Sequence, residues 1–130
     1  MHIVLADPDE RVLWTLRLIL DREPEFEVIG EAFDAPGLLA LVEKRPPDLT
    51  LMDKKLPGCN LTRLIARLKA LAPAMIVLVM SSQPQDSRLA LQAGADAFVS
   101  KGSKPDWLLE TLKIFTKRSD TGGSLANQSV

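Results

Sequence analysis

Short apolar runs alternate five times with segments of helical period along this chain, and no other feature limits its fold so tightly. The runs are Ile3-Val4-Leu5-Ala6, Phe26-Glu27-Val28-Ile29, Leu49-Thr50-Leu51-Met52, Met75-Ile76-Val77-Leu78-Val79-Met80 and Ala97-Phe98-Val99. Each is brief and most are rich in Val, Ile or Leu, which predicts a strand. Between and after them, apolar residues recur at helical spacing: Val12, Leu16, Ile19 and Leu20; Leu38, Leu39, Leu41 and Val42; Leu61, Leu64, Ile65 and Leu68; Leu89, Ala90 and Ala93; Leu108, Leu109, Leu112 and Phe115. Five β-α units in strict order predict an α/β fold, a doubly wound five-stranded parallel sheet with helices on both faces and right-handed crossovers. The first, third and fourth runs are continuously apolar, as parallel strands covered on both faces are.

Composition narrows the function classes. Sixteen basic side chains oppose 17 acidic ones, for a formal net charge of -1, and no basic run breaks the balance. That leaves no electrostatic footprint for a nucleic acid, so none is expected as a direct partner. Cys59 is the only cysteine, which excludes an internal disulfide and a cysteine-built zinc site and suits a reducing compartment. No signal-peptide pattern opens the sequence and no apolar run approaches the ~18 residues of a membrane span. The expectation is a cytoplasmic protein without a membrane partner. Residues 1–118 are expected to form one domain; residues 119–130 lack period and are rich in small polar groups, as in a disordered tail.

In an open parallel sheet, ligands bind beyond the carboxyl ends of the strands. The first strand runs into Asp7, the third into Asp53, the fourth into Ser81-Ser82, and Lys101 follows closely on the fifth. Two carboxylates, a hydroxyl and an ammonium would meet on one rim, a set suited to phosphoryl or metal chemistry.

This arrangement resembles the receiver domain of bacterial two-component response regulators, in single-domain form and with flavodoxin-like topology, over residues 1 to 118. "PDLTLMDKKLPG" (47–58) looks like the phosphoacceptor segment, and "LQAGADAFVSK" (91–101) like the segment that leads to the family's lysine, with Phe98 at its aromatic position. The resemblance implies that Asp53 accepts a phosphoryl group from a histidine kinase or phosphotransfer protein. It implies that Ser81, with Ser82 as the alternative hydroxyl, and Lys101 contact the phosphoryl oxygens. Phe98 would turn inward when the domain switches, and the fourth and fifth helices would form the face for a downstream protein or for self-association. Mg2+ would be held by Asp53, an acid after the first strand and the backbone carbonyl of Lys55. No turnover of an external substrate is implied beyond self-catalysed phosphoryl transfer and loss. A weak carboxylate nucleophile attacking a dianionic centre needs this much neutralising charge around it.

The sequence departs from the family at Pro8, which stands where the second acid of the pair belongs; Asp7 matches the first acid, and the resemblance leaves Asp9 as the candidate to substitute for the missing ligand. Locally, Asp7-Pro8-Asp9-Glu10 reads as a helix start, with Asp7 as N-cap, Pro8 at the first helical position and Glu10 closing a capping box. Ser103 to Asp106 suggests a cap for the last helix. The segment from Ser81 to Lys101 is a residue or two short, with Gln83-Pro84-Gln85 as a tightened turn, and Gly102 stands where the family commonly has proline. Lys54 and Lys55 read as solvated loop charges or as groups that tune phosphate lifetime. Trp14 and Trp107 read as packing or partner-surface residues, and His2 has no second ligand at metal spacing.

Two alternatives carry different functions. A pseudo-receiver would keep Lys101 as a salt bridge and act as an interaction module without phosphorylation. A small aspartate-nucleophile phosphatase of the haloacid dehalogenase type would use Asp7 and Asp9, whose spacing it matches, but would leave Asp53 without a role and has no cap domain. Rossmann, P-loop and flavodoxin-type carriers are excluded because "ADPDE" contains no glycine and no phosphate loop.

Overall fold

The computed structural model describes residues 1–101 and 105–121. Five strands, β1 (His2–Ala6), β2 (Glu27–Ala32), β3 (Leu49–Asp53), β4 (Ile76–Ser81) and β5 (Ala97–Ser100), alternate with α1 (Glu10–Asp21), α2 (Ala35–Lys44), α3 (Leu61–Leu71), α4 (Ser87–Gln92) and α5 (Pro105–Thr121). All pairings are parallel, in the order β2-β1-β3-β4-β5. This is the doubly wound, flavodoxin-like order, whose direction reverses between β1 and β3. A single 3-10 turn at Pro84–Asp86 leads into α4.

Strand alternation divides the core in two. Ile3, Leu5, Leu49, Leu51, Leu78, Met80 and Val99 face α1 and α5, where they meet Leu13, Leu16, Leu20, Leu108, Leu112 and Phe115. Val4, Ala6, Met52, Val77 and Val79 face the other way, onto Leu38 and Val42 of α2, Leu64, Ile65 and Leu68 of α3 and Ala90 of α4. β3 is buried along its whole length, as its continuous apolar run predicts.

Three local details differ from the sequence reading. β2 runs to Ala32, three residues past the expected end at Ile29. The N-cap of α1 is Asp9, whose side chain accepts from the Arg11 amide at 2.9 Å, so the cap expected at Asp7 is corrected by two residues. The α5 helix continues to Thr121, beyond the expected boundary at 118; the remainder of the expected tail lies outside the described residues, as do the cap expected at 103–106 and the Trp107 side chain.

Candidate functional site

Asp7, Asp53 and Lys101 leave the carboxyl ends of β1, β3 and β5 with the alternation of the side that faces α1 and α5. Sheet-like hydrogen bonds fix the backbone at or just past each strand end. The Asp7 amide donates to the Ala32 carbonyl at 3.0 Å, the Lys54 amide to Met80 at 2.8 Å and the Lys101 amide to Ser81 at 2.8 Å. The side chains converge: Lys101 Nζ lies 2.6 Å from Asp7 Oδ2 and 2.8 Å from Asp53 Oδ1. Asp7 is fully buried and Asp53 is 6% exposed. Among the described residues the Lys101 ammonium is the group that compensates Asp7 Oδ2, which has no other partner.

The remaining carboxylate oxygens are held by backbone. Asp7 Oδ1 accepts from the Asp9 amide at 2.8 Å, and Asp53 Oδ2 from the Lys55 amide at 2.9 Å. Burial pulls the pKa of Lys101 down, but the hydrogen bonds and negative charge of Asp53 and Asp7 outweigh it, and the ammonium titrates above its usual range. The loop after Asp53 closes through Gly58, at φ +105°, where an added Cβ would stand 2.8 Å from the ring of Pro36. That close approach lets the Pro57 carbonyl accept from the Ala35 amide at 2.8 Å, which ties the loop to the start of α2.

The Ser81 hydroxyl is engaged by the turn that follows it. Ser81 is buried, its hydroxyl donates to Asp86 Oδ2 at 2.6 Å, and its oxygen accepts from the Gln83 amide at 3.1 Å. Asp86 Oδ1 lies 3.1 Å from Lys54 Nζ. The Ser81 hydrogen bond, then the Lys54 hydrogen bond, hold the Asp86 carboxyl below the ordinary carboxylate range. Ser82 is exposed, and Phe98 is half-buried against the core beneath α2, α3 and α4.

Asp9 does not turn toward the carboxylate pair. Its carboxylate accepts from the Arg11 amide and pairs with the Arg11 guanidinium at 3.2 Å, and these side-chain and backbone bonds hold its pKa low. Among the described residues no three His, Cys, Asp or Glu side chains cluster as a metal site. Lys55 is exposed, Cys59 is half-buried, and Trp14 stands 66% exposed on α1.

A family model described as the response regulator receiver domain matches residues 3–113. The chain belongs to the response regulator receiver family. This receiver domain is 32% identical over 116 residues to the uncharacterized transcriptional regulatory protein YhcZ of Bacillus subtilis (strain 168), a match that covers 88% of this chain and 54% of that protein. It is 30% identical over 112 residues to the nitrate/nitrite response regulator protein NarL of Escherichia coli (strain K12), with 85% and 52% covered. The chain thus spans about half the length of these curated relatives. Among solved structures, the CheY-like response regulator receiver domain protein from Methanospirillum hungatei JF-1 aligns with a TM-score of 0.79 at 31% identity, over 93% of this chain and 98% of that one. The signal receiver domain of the putative response regulator NarL from Mycobacterium tuberculosis aligns at 0.80 and 25% identity, over 89% and 95%. These likenesses place the receiver in two-component signalling.

Two residues of the candidate site are not marked by the sequence of this receiver. Nothing in its pattern distinguishes Asp86, and Lys54 reads as either a solvated charge or a tuning group; the structure joins Asp86 to Ser81 and Lys54 to Asp86. The available signal is an acid five residues after the Ser, directly behind Pro84-Gln85, where a 3-10 turn brings the chain back to the strand end.

Proposed function

We propose that this receiver accepts a phosphoryl group on Asp53 from a histidine kinase or phosphotransfer protein and relays the change to a downstream protein, or to a second copy, through α4 and α5. The carrying observation is Lys101 Nζ, held 2.8 Å from Asp53 Oδ1 while Asp7 anchors it from the other side at 2.6 Å. An Asp53 oxygen forms the new bond to phosphorus as the bond from phosphorus to the donor's nitrogen or oxygen breaks. The ammonium is placed to neutralise charge on the equatorial oxygens, the term on which phosphoryl transfer chiefly depends. Asp7 orients the ammonium, and the Lys55 amide fixes the acceptor carboxylate. The domain acts as a signalling acceptor, not as an enzyme with an external substrate. Asp7 is fully buried behind Lys101, which counts against the phosphatase alternative.

The donor types fit Mg2+, since two carboxylates and a carbonyl are hard oxygen ligands. Asp7, Asp53 and the Lys55 carbonyl would hold it, with Asp9 left on Arg11. When bound, Mg2+ supplies further positive charge at the phosphoryl oxygens. No helix among the described residues is long and apolar enough to cross a membrane; the proposed role is a cytoplasmic one. Direct contact with nucleic acid is not part of the proposed role of these residues.

Acetyl phosphate with Mg2+ should add one base-labile phosphoryl group, read by intact mass and lost in Asp53→Asn. No labelling at any Mg2+ concentration would favour the pseudo-receiver. The commitment of Asp9 to Arg11 is the observation on that reading's side. Sustained hydrolysis of a generic phosphomonoester, abolished by Asp7→Asn but not by Asp53→Asn, would favour the phosphatase.

A further inference from the structure

Resting on the phosphoacceptor reading of Asp53, we propose that Asp86 is a positioning residue that withholds the Ser81 hydroxyl from the acceptor site and releases it when Asp53 is phosphorylated. A serine hydroxyl has one hydrogen to give. In this structure that hydrogen is given to Asp86 Oδ2 at 2.6 Å, and the Gln83 amide occupies a lone pair of the same oxygen at 3.1 Å. A phosphoryl group on Asp53 presents only acceptor oxygens, so Ser81 bonds it only after turning away from Asp86. The exchange is between two anionic acceptors and is therefore close to balanced, unlike an exchange with water.

Asp86 is not explained as a helix cap. It closes the Pro84–Asp86 3-10 turn with helical backbone (φ -74°, ψ -5°), unlike the extended backbone from which an Asp side chain caps a helix. No cap hydrogen bond is made here, and the carboxylate is turned inward to Ser81 and Lys54 instead. Both partners are contested by the acceptor. Lys54 directly follows Asp53, so new negative charge on Asp53 attracts the ammonium that now neutralises Asp86. Losing both partners would leave a 9% exposed carboxylate uncompensated, which must then swing outward with the start of α4. The exposed Leu89 and Leu91 lie on that helix.

The test measures affinity for beryllium fluoride, a phosphoryl mimic, at fixed Mg2+ by isothermal titration. Asp86→Ala should bind it about five- to tenfold more tightly than the parent, because the hydroxyl is no longer held elsewhere. In a Ser81→Ala background the same substitution should change affinity by less than about twofold. A structural role of Asp86, or a freed Lys54, would not need Ser81 for its effect. Asp86→Asn keeps the shape and an acceptor for Ser81 but loses the charge; it should show a smaller gain in the same direction, and serves if the alanine variant unfolds. Equal affinity in parent and Asp86 variants, or a gain that persists without Ser81, overturns the proposal and leaves the phosphoacceptor reading intact. No binding by any of these proteins overturns both.

Discussion

Replacing Lys101 with Met removes a cation from between two buried acids, and the structure gives a magnitude for the loss. The ammonium lies 2.6 Å from Asp7 and 2.8 Å from Asp53, whose side chains are 1% and 9% exposed. Breaking a buried ion pair by deleting one partner costs about 3–5 kcal/mol, because the other charge remains out of water. The Lys101 side chain keeps 23% of its surface exposed, so solvent reaches the cluster from one side and the lower figure, about 3 kcal/mol, is expected. That is a large part of the ~5–15 kcal/mol that holds a domain of this kind folded, and corresponds to a melting point about 10 °C lower. Urea melts at neutral pH in a chelator should read the loss directly. Adding Asp7→Asn to Lys101→Met should recover part of it, because the stranded charge is then gone. The pH dependence has a definite sign. The folded pKa of Lys101 is raised above the unfolded 10.5, so its contribution is complete below 10.5 and disappears as pH rises through the folded value. The gap between parent and Lys101→Met should therefore close in strong alkali. A neutral-pH loss under about 1 kcal/mol, or a gap indifferent to alkali, would show that Lys101 is a solvated surface charge.

Two further substitutions test the rim and the sheet. Pro8→Asp restores a second acid beside Asp7, so thermal melts should show a larger Mg2+-induced stabilisation than in the parent and a lower melting point without metal; equal stabilisation would mean that Asp9 leaves Arg11 and supplies the ligand. Leu51→Asp places an unpaired carboxylate in the middle of β3, where Leu51 is fully buried. It should abolish the folded circular dichroism signal, and a variant that folds normally would contradict the packing of that strand.

How much of the fold is legible depends on how much each element buries. The central strands β1, β3 and β4 are covered on both faces, so their apolar runs and their hydrogen-bonded extents nearly coincide. β2 is an edge strand with one neighbour, and its pairing with β1 shifts register between Ile3 and Val4. Its apolar signal ends at Ile29, yet Gly30, Glu31 and Ala32 continue the ladder opposite Val4, Leu5 and Ala6. Half-buried edge residues carry little apolar pattern, so hydrogen bonding outlasts it. The same holds at the end of α5, where the helix passes Arg118 without an apolar residue to announce it.

The candidate site divides along a different line. Asp7, Asp53 and Lys101 are legible because topology alone sends strand ends to one rim, and their charges leave few other ways of being satisfied there. Asp9 and Asp86 are harder, because an Asp at a helix start has two competing uses and composition does not rank them. At α1 the local use prevails: Asp9 is partly open to water, bonds the Arg11 amide and meets a guanidinium from its own helix. At α4 the tertiary use prevails. Asp86 stands in helical backbone at the end of the 3-10 turn, so its side chain does not cap α4 and is bonded to a hydroxyl and an ammonium instead. The 3-10 turn at Pro84–Asp86 is what brings those two groups within reach. A strand-end hydroxyl and a lysine within one short turn are what separate Asp86 from Asp9. The two cations are divided accordingly: Lys54 pairs with Asp86 beyond β4, while Lys101 pairs with Asp7 and Asp53.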